Sequence, residues 1–362
     1  MNNTISPQQR AQNFGAYTRQ HIQTLGTMTA GEGGHIEFEV PKARLLQSIN
    51  LLVEVEAEAA EAVTAVFDTQ QQKLAVYDVL KRVSTVYNNG FSPISATGRD
   101  LAVMSMLRIN PEAVMPHWMP EYSNCTIHYP ELTMVDGTEI KFASDKKIKY
   151  YFRLDVPNTL NDRDTSGLFL LQNGATLVNM NIDIANTALQ LGGAEYTISS
   201  VKVTPEIVSF SIPEAKEAFP NLTVLKILDS RKEAFTGGGS NLVKLPCGMI
   251  YRKILLFLED SDGNPISPDD ITSNIEILFN TADVPYSVNP RMLRLRNTKD
   301  YGASLPEGYY AFDFSVCGMP NYAGSRDYVD CEKITTCEIR FTTNKGGNVT
   351  IIAEKISRLV KA

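Results

Sequence analysis

No apolar run in these 362 residues approaches the ~18 that a membrane-spanning helix needs; Lys253-Ile254-Leu255-Leu256-Phe257-Leu258 is among the longest. Histidine is scarce, and His21, His35, His117 and His128 stand alone, so neither an HxH nor an HExxH metal signature exists. The five cysteines (Cys125, Cys247, Cys317, Cys331, Cys337) are odd in number and include no CxxC pair. Cys331 and Cys337 lie six apart, which is not a zinc-knuckle spacing. The opening Met1-Asn2-Asn3-Thr4-Ile5-Ser6-Pro7 has neither a basic nor an apolar signal region, so export is not expected. The cysteines are then expected as reduced thiols, several of them buried in strands. With 34 Lys plus Arg against 41 Asp plus Glu, the net charge of −7 argues against a protein that wraps nucleic acid. A 43% hydrophobic chain of this length excludes a disordered tail, a collagenous repeat and a disulfide knot. The expectation is a soluble, cytoplasmically made chain of about two domains.

Acid is also missing from the first 31 residues, which carry Arg10, Arg19 and His21. Ser6 reads as an N-cap, Pro7 as the first helical residue and Gln9 as the partner in a capping box. Ala11, Phe14, Thr18, Ile22 and Leu25 then recur at helical steps, predicting one amphipathic helix. Gly26 to Gly34 is expected to end it and form a flexible joint. Residues 1–34 are thus read as a basic arm. It either packs beneath its domain or meets an anionic lipid surface or neighbouring subunit through Arg10, Phe14, Arg19 and His21.

From His35 the period changes to two. His35–Val40 alternates and stops at Pro41, and Ser48–Glu58 places Ile49, Leu51, Val53 and Val55 opposite Glu54, Glu56 and Glu58. Further strands are predicted at Val63–Phe67, Arg82–Tyr87, Leu101–Ile109, Cys125–Tyr129, Lys147–Val156, Leu168–Gln172 and Leu177–Ile184. Turn signals separate them at Asn88-Asn89-Gly90, Asp136-Gly137 and Asn173-Gly174. Leu189–Ala194 reads as an interdomain joint. Beyond it come Tyr196–Val203, Ile207–Ile212, Leu222–Leu228, Ile250–Glu259, Ile275–Phe279, Tyr309–Phe314, Ile334–Thr342 and Val349–Ile356. Short helices are predicted at Ala215–Phe219 and Pro290–Arg296. About eight strands in each of residues 35–190 and 195–362 point to an all-β chain with a few short helices, a sandwich or barrel in each half, of which the antiparallel jelly roll is the eight-stranded case.

The residues offer little chemistry. Thr236-Gly237-Gly238-Gly239-Ser240 lacks the Gly-Lys-Ser/Thr ending of a phosphate loop and reads as a plain loop. Asp260, Asp262 and Asn264 carry calcium-type oxygens, but Gly263 comes too early and no twelfth-position Glu follows, so a hairpin turn is the better reading. Met104, Met106, Met115, Met119 and Trp118 gather around Pro116 and Pro120, read as core packing with a subunit contact as the alternative. No catalytic set, cofactor site or confident metal site is expected. Scattered surface carboxylates leave one enzymatic or binding alternative open, a two-domain β-sandwich carbohydrate-binding protein or glycoside hydrolase.

Several stretches, in order along the chain, carry a resemblance. They are the acid-free Gln-rich helix before Ile36-Glu37-Phe38-Glu39-Val40-Pro41, then Val79-Leu80-Lys81-Arg82-Val83, and Thr97-Gly98-Arg99-Asp100-Leu101. Lys149-Tyr150-Tyr151-Phe152-Arg153-Leu154-Asp155-Val156-Pro157 follows, with Asp164-Thr165-Ser166-Gly167 as a turn. Tyr251-Arg252-Lys253, the Arg-rich helix at Asn289–Arg296 and Leu305-Pro306-Glu307-Gly308-Tyr309-Tyr310 complete the set. Together they resemble the double jelly-roll major capsid protein of tailless, membrane-containing bacteriophages, the tectivirus kind. The resemblance implies two rolls side by side and a homotrimer forming a pseudo-hexagonal capsomer. It also implies an icosahedral virion shell assembled in the host cytoplasm. Partners would be neighbouring capsomers, penton or vertex and minor capsid proteins, and an internal viral membrane met by the N-terminal arm, with no direct nucleic-acid binding. Deleting residues 2–30 is then expected to spare the folded trimer and impair membrane or particle association.

Overall fold

The computed structural model describes residues 7–63, 67, 69–88, 90–117, 120–128, 132–135, 139–142, 145–161, 165–171, 177–316 and 328–358. Two compact units divide the chain: residues 1–102, 114–226 and 358–362 form one, residues 103–113 and 227–357 the other.

In the first unit, helix α1 (Pro7–Tyr17) precedes β1 (Gln20–Thr24), β2 (His35–Glu39), β3 (Leu45–Val63), β4 (Leu80–Tyr87) and β5 (Phe91–Ala96). Helix α2 (Gly98–Ser105), β6 (Cys125–His128), β7 (Asp145–Pro157), β8 (Val178–Ile184) and β9 (Ala194–Phe210) follow. One sheet runs β1-β9-β3-β7-β6, and the other runs β2-β8-β4-β5. The long strand β3 spans 19 residues, and its middle, Leu51–Ala60, keeps the period-two alternation. Ile49, Leu51, Val53 and Val55 are fully buried on one face, each contributing on the order of 2 kcal/mol, while Glu54, Glu56 and Glu58 lie on the other. A charge at Val53 would break this face.

Tyr196–Val203 and Ile207–Ile212, predicted as two strands, are joined through Pro205: Ala194–Phe210 is one strand antiparallel to β3 from Thr197↔Glu58 to Phe210↔Leu45. The proline is tolerated because the neighbouring chain changes strand beside it. Gln20–Thr24 pairs with Glu206–Phe210, Met28–Ala30 pairs with Val201–Val203, and only the Leu25 amide reaches the Pro205 carbonyl, at 2.8 Å.

The same pairings correct the reading of the N-terminus. The helix ends at Tyr17, where the Thr18 amide and hydroxyl both donate to the Phe14 carbonyl. Ile22 and Leu25 therefore belong to sheet structure rather than to a helical stripe. Gly26–Gly34 holds a short strand in the sheet. The period-3.6 pattern failed because partners almost two hundred residues away decide the conformation. For the same reason the compact units divide near 226, within the strand Val224–Phe235, rather than at Leu189–Ala194.

The predicted strand Leu101–Ile109 is mostly helix α2. The Asp100 amide donates to Thr97 Oγ1 at the helix start, and Leu101, Ala102, Val103 and Met104 are all buried. A short run apolar on every side does not distinguish strand from helix.

The second unit contains β10 (Val224–Phe235), β11 (Ser240–Leu245), β12 (Ile250–Asp260), β13 (Ile275–Phe279) and β14 (Asp283–Val288). Helix α3 (Pro290–Tyr301), β15 (Tyr309–Asp313), β16 (Cys337–Thr342) and β17 (Gly347–Arg358) complete it. Its sheets run β10-β17-β12-β15 and β11-β16-β13-β14. Tyr251, Ile254, Leu256, Ile277, Phe341 and Ile351 form the centre of its core.

Both units share one connectivity. Counting eight strands in chain order and setting aside β6 and the strands of two to four residues that lie off this path, one sheet runs first-eighth-third-sixth and its partner second-seventh-fourth-fifth. That is a jelly roll, present twice. Each unit also places a helix between the fifth and sixth strands, α2 in one and α3 in the other. Asn289 caps α3 by accepting from the Arg291 and Met292 amides, and Gly302 closes it at φ 77°. Asn297 then fastens it to β15, donating to the Ala311 carbonyl at 2.9 Å and accepting from the Ala311 amide at 3.1 Å.

Candidate assembly surfaces

The four residues expected on the N-terminal contact surface part company. Phe14 points inward: it is 5% exposed, clusters with Leu45 and Leu168, and meets the Phe210 ring edge-on at 5.3 Å. An aromatic side chain held in this way anchors α1 to the first unit and is not available to lipid. Arg10 and Arg19 are exposed, and His21 is half-buried. Tyr17 (64% exposed) and Ile22 (62%) join them; Tyr17 was not singled out from sequence, and Ile22 was read only as part of the helical stripe. An exposed Ile22 on a sheet strand could have been found only with the register in hand.

The outer face of the β9-β3-β7 sheet is a cross-strand charge ladder. Lys149 stands opposite Glu56 and bonds it at 2.7 Å, while Lys147 faces Glu58 at 3.9 Å. On the other side of β3, Lys202 stands opposite Glu54. Arg153 holds Asp155 at 2.7 Å and lies 3.7 Å from Glu206, which also accepts from Asn50. Lys149, by its hydrogen bond and its charge, draws the Glu56 carboxyl below its ordinary pKa. The acidic run read from sequence is therefore a neutralised surface, because strands remote in sequence supply a lysine at each glutamate.

Charge in the second unit is handled differently. Arg252 and Lys253 sit at a bulge of β12, with Lys253 flanked by Glu354 on β17 and Asp313 on β15. Arg252 bonds Glu354 at 2.8 Å and Lys253 bonds Asp313 at 3.0 Å, and all four side chains are nearly inaccessible. Lys253 also donates to the Leu107 carbonyl, and Tyr301 of α3 donates to Asp313. The Tyr251-Arg252-Lys253 stretch noted in the sequence is thus part of a buried neutral cluster.

Asp260, Asp262 and Asn264 form a turn. Asp260 Oδ1 accepts from the Asp262 and Asn264 amides at 3.0 and 2.9 Å, bonds that hold the Asp260 carboxyl below the usual range, and Gly263 takes φ 83°. Asp260 Oδ1 thus serves the backbone, and its Oδ2 accepts from the Asn264 side-chain amide at 3.4 Å. Among the described residues, no three His, Cys, Asp or Glu side chains form a metal-holding group, and no helix is long and apolar enough to cross a membrane. Met104 and Met106 are buried, as core packing requires; Trp118, Met119 and Cys317 lie outside the described residues, as do Asp136-Gly137, Asn173-Gly174 and Asp164.

The fold defined by these two units is the double jelly roll. The sequence itself matches no family model, and no curated protein is detectably similar to it. The structure is similar to solved ones. It is similar to the major capsid protein of Sulfolobus Turreted Icosahedral Virus, at 14% identity and TM-score 0.66 over 94% of this chain and 97% of that one. It is also similar to the major capsid protein P2 of bacteriophage PM2, at 10% identity and TM-score 0.57 over 95% and 99%. A third is VP54 of PBCV-1, at 11% identity and TM-score 0.61 over 94% of each chain. The chain therefore has the fold of double jelly-roll major capsid proteins along nearly its whole length.

Proposed function

We propose that this chain is a major capsid protein of a membrane-containing virus. Three copies form a pseudo-hexagonal capsomer, and capsomers tile an icosahedral shell around an internal membrane. The observation that carries the reading is the repeated connectivity. Two rolls of one topology in one chain let a trimer present six similar walls, and a six-walled tile packs laterally. The similarity covers 94–95% of this chain and 97–99% of the capsid proteins named, so it takes in both rolls. Subunits of this kind work through broad complementary surfaces rather than a reactive site. Neighbouring capsomers and vertex and minor capsid proteins are its expected partners.

Negative-stain electron microscopy of the purified protein tests this directly. Trimers of near-sixfold outline, or arrays of them, support it; two-lobed monomers at every concentration overturn it.

Arg10, Arg19 and His21, with Tyr17 and Ile22, form the surface proposed to meet the inner membrane. Deleting residues 2–30 no longer isolates that role, since it removes β1 and bares the edge of β9. Charge reversal at Arg10 and Arg19 leaves the sheet intact. Loss of flotation with anionic vesicles in that variant is the expected result, and unchanged flotation counts against lipid contact.

A further inference from the structure

Cys331 and Cys337, six residues apart, meet the sequence-remote Cys247 at one end of the second unit. Cys337 opens β16 and stands opposite Leu245, the last residue of β11. Two residues on, Cys247 packs against the same core. Cys331 is tied to that corner by its backbone: its carbonyl accepts from the Gly248 amide at 2.9 Å, and its amide donates to the Met249 carbonyl at 3.0 Å. Cys331 and Cys337 are both buried within the apolar core cluster, 0% and 2% exposed, while Cys247 is partly exposed; all three are free thiols.

We propose that Cys331 and Cys337 are a latent disulfide pair, closed by a low-molecular-weight disulfide to staple the segment before β16. The two positions are held from both sides, Cys331 by the chain entering β12 and Cys337 by β11 and β13. The intervening Glu332–Thr336 turn is already closed by the Ile334 amide donating to the Cys331 carbonyl. Closure therefore needs no long-range rearrangement. The exchange balances. The Cys331 thiol gives its proton to solvent, and its thiolate attacks one sulfur of the oxidant, expelling the first small thiolate. Cys337 sulfur then attacks Cys331 sulfur in the mixed disulfide. The second small thiol leaves, so two protein thiols and one small disulfide become one protein disulfide and two small thiols.

The order of attack has a physical basis. The Cys337 thiol hydrogen-bonds Cys331 and draws its pKa below the ordinary thiol value, whereas that same bond, together with burial, pushes Cys337 up. Cys331 is the nucleophile and Cys337 the resolving thiol. Cys247, at the partly exposed margin of the cluster, marks the side from which an oxidant enters. The chemistry stands whether or not the shell reading is right. If that reading holds, closure belongs to particles that have left a reducing cytoplasm.

The test treats the folded full-length protein with oxidised glutathione, blocks remaining thiols, and counts them by mass spectrometry after denaturation. The expected result is a fall from five reactive thiols to three, a Cys331–Cys337 linked peptide lighter by two hydrogens, and a rise in Tm of several degrees reversed by dithiothreitol. The Cys247→Ser variant should close the same bond, and Cys331→Ser should close none. Five thiols remaining after treatment, a bond through Cys247, or stoichiometric zinc in the untreated protein would each overturn the proposal. Because the readout is a thiol count on isolated subunits, it is separable from failure to form capsomers.

Discussion

The two rolls share a connectivity, yet corresponding central strands hold charge in opposite ways. In the first, the β9-β3-β7 sheet sets its lysines and glutamates in water, where each pair is screened and pays side-chain entropy to hold its geometry. In the second, Arg252, Lys253, Asp313 and Glu354 are sealed from water at the third, sixth and eighth strands, where each charge depends on its partner. One topology therefore supports both a solvated ladder and a dry cluster. The difference lies in what covers the sheet: α3, Tyr301 and the Leu107 carbonyl close over the second roll's charges.

The sharpest way to break the contrast is to remove one partner from each roll. Lys253→Met strands Asp313 in a buried site and should cost about 3–5 kcal/mol in urea unfolding. Pairing it with Asp313→Leu should recover much of that loss, because the uncompensated charge is gone. Phe14→Ala, in the first roll, empties the pocket between Leu45, Leu168 and Phe210 and should cost about 3 kcal/mol. Tyr17→Ser, three residues on and exposed, should leave the midpoint unchanged. Gly302→Ala places a side chain at φ 77° and should cost about 1 kcal/mol, fraying the end of α3.

The smallest effect belongs to the ladder. Because Lys149 lowers the folded-state pKa of Glu56, the pair's contribution is fully present above the unfolded carboxylate value. It is lost as pH falls through the lowered folded value. An acid titration of stability should therefore show a shallow loss below about pH 4.5 that Lys149→Ala removes, with the neutral-pH midpoint lowered by the same small amount. A large neutral-pH loss in that variant would erase the distinction drawn between the rolls.

Much of the architecture was legible from residues alone. Period-two alternation in His35–Val40 and Ser48–Glu58 defined strands because a sheet with one wet face must alternate. Asn289-Pro290 announced α3, since a cap and a proline at the first turn are local signals. Strand number and spacing pointed to a sandwich or barrel in each half, and the order of the resembling stretches added the double jelly roll. The hairpin reading of Asp260–Asn264 rested on turn chemistry local to five residues.

Sequence by itself determined which segments alternate, where turns fall and which charges exist, because those depend on neighbours a few residues away. Only the tertiary structure decided that Gln20–Thr24 is the first strand of a roll and that Phe14 turns inward. It alone decided that Glu54, Glu56 and Glu58 face lysines, and that three cysteines share one corner. Each of these is a pairing across many residues of chain, and a β-sheet stores that information in its register rather than in any local pattern.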